Sequence, residues 1–308
     1  MRHELTFEQR DKSLDSEVAL AKEGDRTALE TVIRTVQQDA YGVAVRFLWH
    51  PQDAEDATQE ILIRVITGLG GFRGDSSFRT WVYRIACNTL LSLGKKRMEQ
   101  QSISFEAFGE DLGRGLSGSS LRIEYDIDRE LLLEEVKIGC TLAMLMCLDR
   151  NHRLAYVLGE IIELDHSEAA EVLDISRAAY RKRLSRAQST ILSFMTSRCG
   201  LVNPDNACRC HRRLATAIEL GRVVPKKLLF APSLAQANQF PGVLAKIRQL
   251  EESRRVAALY RSHPELKPSG TFITWLKSLL EENPNENVRH GASKPSAAGA
   301  NPIGTKWS

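Results

Sequence analysis

The chain has 308 residues, 43% hydrophobic and 26% charged, enough for two or three compact cores. A formal net charge of +3 excludes a generic polyanion binder, so any nucleic-acid site must come from local clustering. The N-terminal run MRHELTFEQRDKSLDSE is charged throughout and no stretch of apolar residues is long enough to span a bilayer, so the expectation is a cytoplasmic protein without membrane insertion.

Apolar residues recur at three- and four-residue spacing nearly everywhere and alternation is scarce, which predicts an all-α fold. A first helical block covers 10–97, broken at His50-Pro51 and again across the glycines at 68–75. On its helix 52–69 the core stripe is Ala54, Ala57, Ile61, Leu62, Val65 and Leu69. Asp53, Asp56, Gln59 and Glu60 lie towards the other face with Ile63 among them. An aliphatic side chain amid carboxylates suggests a protein-contact surface with a charge-steered rim; a plain solvated acidic face is the competing reading. On the next helix, 77–97, Phe78, Val82, Ile85, Thr89 and Leu93 are expected inside, with Arg84, Asn88 and Lys95 on the far side. Trp81 flanks them, Arg79 adds charge, and the preceding loop supplies Phe72, Arg73, Ser76 and Ser77. Rings for base stacking, cations for phosphates and small polar groups for an extruded base suit unpaired DNA, although Trp81 could equally belong to the core.

The Gly/Ser-rich, slightly acidic segment SISFEAFGEDLGRGLSGSS falls within 98–126, which is expected to be a flexible linker. Helical periodicity resumes over 127–198. Two short helices there meet at Leu173-Asp174-Ile175-Ser176: Asp165 with Glu168 forms a capping box, Ser176 caps the second helix, and Ile175 and Tyr180 are placed as a staple. Tyr180, Leu184, Ala187, Ile191 and Met195 make the inner stripe of that second helix. Between Arg177 and Arg198 there are six basic residues and no acidic one. A short helix, a tight turn and a longer basic helix fit the major groove, with Arg177, Arg181, Lys182, Ser185 and Arg186 towards DNA.

The run DAEDATQEILIRVITGLGGFRGDSSFRTWVYRIACNTLLSLGKKR (53–97) closely resembles region two of extracytoplasmic-function RNA polymerase sigma factors, and HRLAYVLGEIIELDHSEAAEVLDISRAAYRKRLSRAQSTI (152–191) resembles their region four. The resemblance implies two helical sigma domains and two binding partners, core RNA polymerase (β′ clamp and β flap) and promoter DNA; an anti-sigma factor is a third partner the family allows. It implies that Asp53, Asp56, Gln59, Glu60 and Ile63 dock on the β′ clamp. It also implies that Phe72 to Asn88 melt and hold the minus-ten element, that Arg177, Arg181, Lys182, Ser185 and Arg186 read the minus-thirty-five element, and that the linker threads towards the RNA exit path. Two departures stand out: Asp174 replaces the usual glycine of the turn, a substitution its tolerance of left-handed geometry permits, and ACNTLLSLG around Asn88 lacks the family's more usual charged residue.

Minimal members of that family end soon after region four, whereas this chain adds an extension, 199–283, and a tail, 284–308, of disordered composition. The extension opens on Cys199-Gly-Leu-Val-Asn-Pro-Asp-Asn-Ala-Cys208-Arg-Cys210-His211, similar to a cysteine motif in some extended members. No cofactor is required for the implied activity. Cys199, Cys208 and Cys210 are candidate ligands for Zn, with a structural metal, a metal or redox sensor, and plain reduced thiols all open; the spacing is not that of a zinc finger. Cys87, Cys140 and Cys147 lie in helical patterns and read as core. Weaker helical patterns at 241–263 and 271–282 read as a hairpin packed on region four or as a built-in regulator. The rival class is a stand-alone helix-turn-helix regulator with the cysteines as its sensor, which leaves DAEDATQE and FRGDSSFRTW unexplained. An enzyme is not expected: no nucleophile has a His/Asp partner at readable spacing, and no phosphate-binding glycine loop is present.

Overall fold

The computed structural model describes residues 7–97, 103–114, 116, 128–268, and 273, 274 and 278. The tail 284–308 and nearly all of the expected 271–282 helix lie outside the described residues. Among the described residues the fold is all-α as expected, with no strand beyond an isolated bridge between Cys199 and Cys208. No helix among them is long and apolar enough to cross a membrane.

The N-terminal block is a bundle of α1 (Phe7–Lys22), α2 (Arg26–Leu48), α3 (Pro51–Gly68) and α4 (Phe78–Arg97). Local chemistry sets its breaks. Asp25 caps α2 by accepting from Ala28 N at 2.9 Å, and Pro51 opens α3, where its missing N–H costs nothing. Ser77 Oγ accepts from Thr80 N at 3.1 Å and so starts α4. The stripe expected on α3 is buried in full. That of α4 is rotated: Phe78, Val82 and Thr89 are buried together with Tyr83, Ala86, Cys87 and Leu90, while Ile85 is half-buried and Leu93 is exposed. Leu90, one turn beyond Ala86, takes the inner position assigned to Leu93.

The expected linker carries a helix, α5 (Phe105–Arg114), with Phe108 and Leu112 buried. Beyond it come α6 (Arg129–Met146), α7 (Arg150–Tyr156), a π turn (Val157–Ile161), α8 (His166–Val172) and α9 (Arg177–Arg198). The extension adds α10 (Cys210–Glu219), α11 (Leu234–Arg248) and α12 (Glu252–Arg261). One apolar core runs from Leu14 through Met195 to Tyr260, so the two sigma-like blocks and the extension share an interior; a second, small cluster joins α6 to α10 through Leu132, Val136 and Leu214. Glu135 on α6 anchors the chain ahead of α11, its carboxylate accepting from the backbone N–H of Leu229, Phe230 and Ala231 at 2.7, 2.8 and 2.7 Å.

Candidate nucleic-acid interface

The helix-turn-helix is built by the residues that announce it. The capping box of Asp165 and Glu168 is formed, Ser176 Oγ accepts from Ala179 N at 3.2 Å, and Asp174 adopts φ 51° in the turn. The inner stripe from Tyr180 to Met195 is buried. Tyr180 is a packing residue: its hydroxyl donates to Ala155 O at 3.1 Å and its ring fills the space a side chain at Gly159 would need, since a Cβ there would lie 2.5 Å from Tyr180 Oη. With that face committed inward, Arg177, Arg181, Lys182, Ser185 and Arg186 are all exposed on the outer side.

A groove of about 740 Å³ opens between the turn joining α6 to α7 and the flank of α9, lined by Arg150, Arg153, Lys182, Arg183 and Arg186 among others. Sequence reading passed over Arg150, which the fold brings beside α9 from outside the basic run, and gave Arg183 no role. Arg153 is spent on structure: it is buried and donates to four backbone carbonyls. The α9 side of the groove is thus cationic through Lys182, Arg183 and Arg186, with Asp149 the one carboxylate among its lining residues.

In the N-terminal block, Asp56 and Ile63 are exposed on α3 while Asp53, Gln59 and Glu60 are half-buried, and Glu60 pairs with Arg64 one turn on at 3.2 Å. The segment expected to hold unpaired DNA is mixed. Arg73 and Asn88 are exposed, and Ser76 and Ser77 half-buried, Ser77 serving as the cap of α4. Phe72, Phe78 and Trp81 form one aromatic cluster with centroids 5.2 to 5.4 Å apart, so Trp81 packs as well as facing out. Arg79 is bound to Asp39 of α2 at 2.9 Å, and Arg84 to Glu171 of α8 at 2.6 Å.

The expected metal centre is not found: among the described residues no three or more His, Cys, Asp or Glu side chains are grouped to hold a metal ion. Cys199 and Cys208 lie side by side through their backbone bridge, closed by Gly200 N donating to Cys208 O at 3.2 Å, and Cys210 sits against the second core cluster. Cys140, read as core, joins them from α6 within electrostatic reach of all three. Burial pushes Cys208 up to about 11 and Cys210 to about 12. His211 is exposed.

Comparison with known proteins places these surfaces in a family context. The Sigma-70 region 2 family model matches residues 32–99. The chain is 30% identical over 191 residues to the RNA polymerase sigma-H factor of Pseudomonas aeruginosa, covering 61% of this chain and 94% of that one. It is 28% identical to the RNA polymerase sigma factor YlaC of Bacillus subtilis, over 56% of this chain and 94% of the relative. The ECF RNA polymerase sigma-E factor of Escherichia coli is 29% identical over 56% of this chain and 90% of its own length. Among solved structures, CnrH in complex with the cytosolic domain of CnrY is similar at 23% identity and a TM-score of 0.41, covering 58% of this chain and 94% of that one.

Proposed function

The chain belongs to the extracytoplasmic-function RNA polymerase sigma factors, and from that premise we propose a division of labour among its surfaces. In this reading the chain binds core RNA polymerase and directs it to promoters. The outer face of α3, with Asp53, Asp56, Gln59, Glu60 and Ile63, docks on the β′ clamp, and the later modules reach the β flap. Residues Phe72, Arg73, Ser76, Ser77, Arg79, Trp81, Arg84 and Asn88 grip the melted minus-ten strand. Arg177, Arg181, Lys182, Ser185 and Arg186 read the minus-thirty-five duplex, and the polymerase supplies all the chemistry. No cofactor is needed.

The observation that carries the reading is the outer face of α9: five polar or basic side chains exposed on a helix whose opposite stripe is buried and whose start is fixed by a capped turn. Arginine there can make bidentate contacts to guanine. The test is run-off transcription with purified core polymerase and a promoter mapped from transcription start sites. Wild type should initiate, and Arg186→Ala should lose about 1–3 kcal/mol of promoter recognition, roughly a five- to 150-fold fall. A chain that cannot make core polymerase initiate would instead be a stand-alone regulator.

A further inference from the structure

The proposed functional faces are not arranged as a promoter would need them. By their names the two promoter elements lie roughly twenty-five base pairs apart, on the order of 80 Å of duplex at about 3.4 Å per base pair. Yet Arg84, on the proposed minus-ten helix, is 2.6 Å from Glu171 in the first helix of the helix-turn-helix. The 22 residues of α9 begin just past that contact and extend only about 33 Å. Both elements cannot be held at once in this arrangement.

The extension closes it from the other side. It touches the N-terminal bundle, where Gln38 Nε2 of α2 donates to Leu266 O at 2.8 Å. It touches α6, where Tyr260 Oη donates to Thr141 O at 2.9 Å. It also grips the entrance to the helix-turn-helix: Arg261 donates to Glu160 O at 2.6 Å and pairs with Glu163 at 2.9 Å. At its far end Arg213 and Arg222 both bind Asp111 of α5, in the connector between the modules, at 2.9 and 2.7 Å. A segment fastened to both modules and to their connector resists any motion that separates them.

Building on the sigma-factor reading, we infer that the C-terminal extension is an intramolecular clasp: it holds the two DNA-binding modules in a closed form that cannot span a promoter, and release of α12 is the step that opens the chain. What fastens the two modules is thus a segment of the same polypeptide, and initiation requires its displacement.

Arg261 is the place to test it, because it lies at the surface and meets carboxylates. In the full chain, Arg261→Glu turns attraction to Glu163 into repulsion and should enlarge the radius of gyration measured by X-ray scattering. It should also raise run-off transcription at limiting core polymerase by about three- to tenfold. The charge swap Arg261→Glu with Glu163→Arg should recover part of both compactness and low activity, since Glu160 also faces position 261 at 3.6 Å; a merely misfolded variant would recover neither. Unchanged scattering in Arg261→Glu and in Gln38→Ala, or opening without any gain in transcription where wild type is active, would overturn the clasp. Inactivity of every variant with core polymerase would instead sink the sigma-factor reading, while scattering still decides whether the clasp exists.

Discussion

His263 reports on the clasp through its own proton. Just past α12, it is buried against α6, shares a hydrogen bond with Thr141 Oγ1 at 2.9 Å, lies against the Tyr260 ring, and has no partner for Nδ1 among the described residues. Burial, then the positive charges of Arg46 and Lys137, hold its pKa well below the usual imidazole value, so it is neutral while α12 is docked. Released, it would titrate near 6.5. The undocked state therefore binds the extra proton, and docking is fully favoured above pH 6.5 and weakens as pH falls below it. Hydrogen-exchange protection of α12 should drop about tenfold per pH unit below that point. His263→Gln should flatten the dependence, and a flat profile in the wild type would remove the argument. Nothing around His263 in the sequence marks it, since its burial depends on a helix more than a hundred positions away. Asp165, Asp174 and Ser176 were legible because a cap or a turn is settled within four residues. The partners of Arg79 and Arg84, Asp39 and Glu171, were not legible because they are distant in sequence.

At the scale of elements, long amphipathic helices announced themselves and α5 did not. Its ten residues include Gly109 and Gly113, which disfavour a helix in isolation, and it lies inside a Gly/Ser-rich tract. Tertiary contacts override that preference. Phe105 and Phe108 stack on Phe194 of α9 with centroids 5.1 and 5.8 Å away, and a Cβ at Gly109 would meet the same ring at 3.4 Å. Asp111 then joins α5 to Arg213 of α10 and to Arg222 just beyond it, both largely buried. Removing the carboxylate takes from both guanidinium groups the anion they share, so Asp111→Ala should cost about 3 kcal/mol. The measurement is a lowered urea midpoint together with faster exchange across 105–114. Loss of stability with α5 still fully protected would mean that the aromatic stack, not the ion pairs, holds the helix. The cysteine segment is the converse case: a motif visible in sequence whose thiols, among the described residues, are not grouped to hold a metal ion.

For the whole molecule, periodicity told apart two helical blocks and a connector but could not show that they pack as one body, because an apolar stripe looks the same whichever neighbour buries it. Arg153 is where that union is fastened. Its guanidinium donates to Leu145 O, Met146 O and Leu148 O at 2.8, 2.9 and 2.8 Å where α6 ends, and to Phe47 O at 2.7 Å where α2 ends. A single cation thus caps carbonyls at two helix C-termini, one from each block, and favours both dipoles. Trp49 adds a second stitch, its Nε1 donating to Gly139 O at 3.1 Å. Arg153→Met keeps most of the side-chain volume and removes the guanidinium donors from the carbonyls of Phe47, Met146 and Leu148, at a cost of about 3–5 kcal/mol. Because the lost bonds straddle the two blocks, the deficit should fall on their coupling. Wild type should unfold in one cooperative transition by both calorimetry and circular dichroism, and Arg153→Met should show two, the earlier one abolishing exchange protection at the C-terminal end of α2. If the variant instead melts once, at a lower temperature and with every helix lost together, the guanidinium supports a single indivisible core, and the modules do not part by the route that opening of the clasp requires.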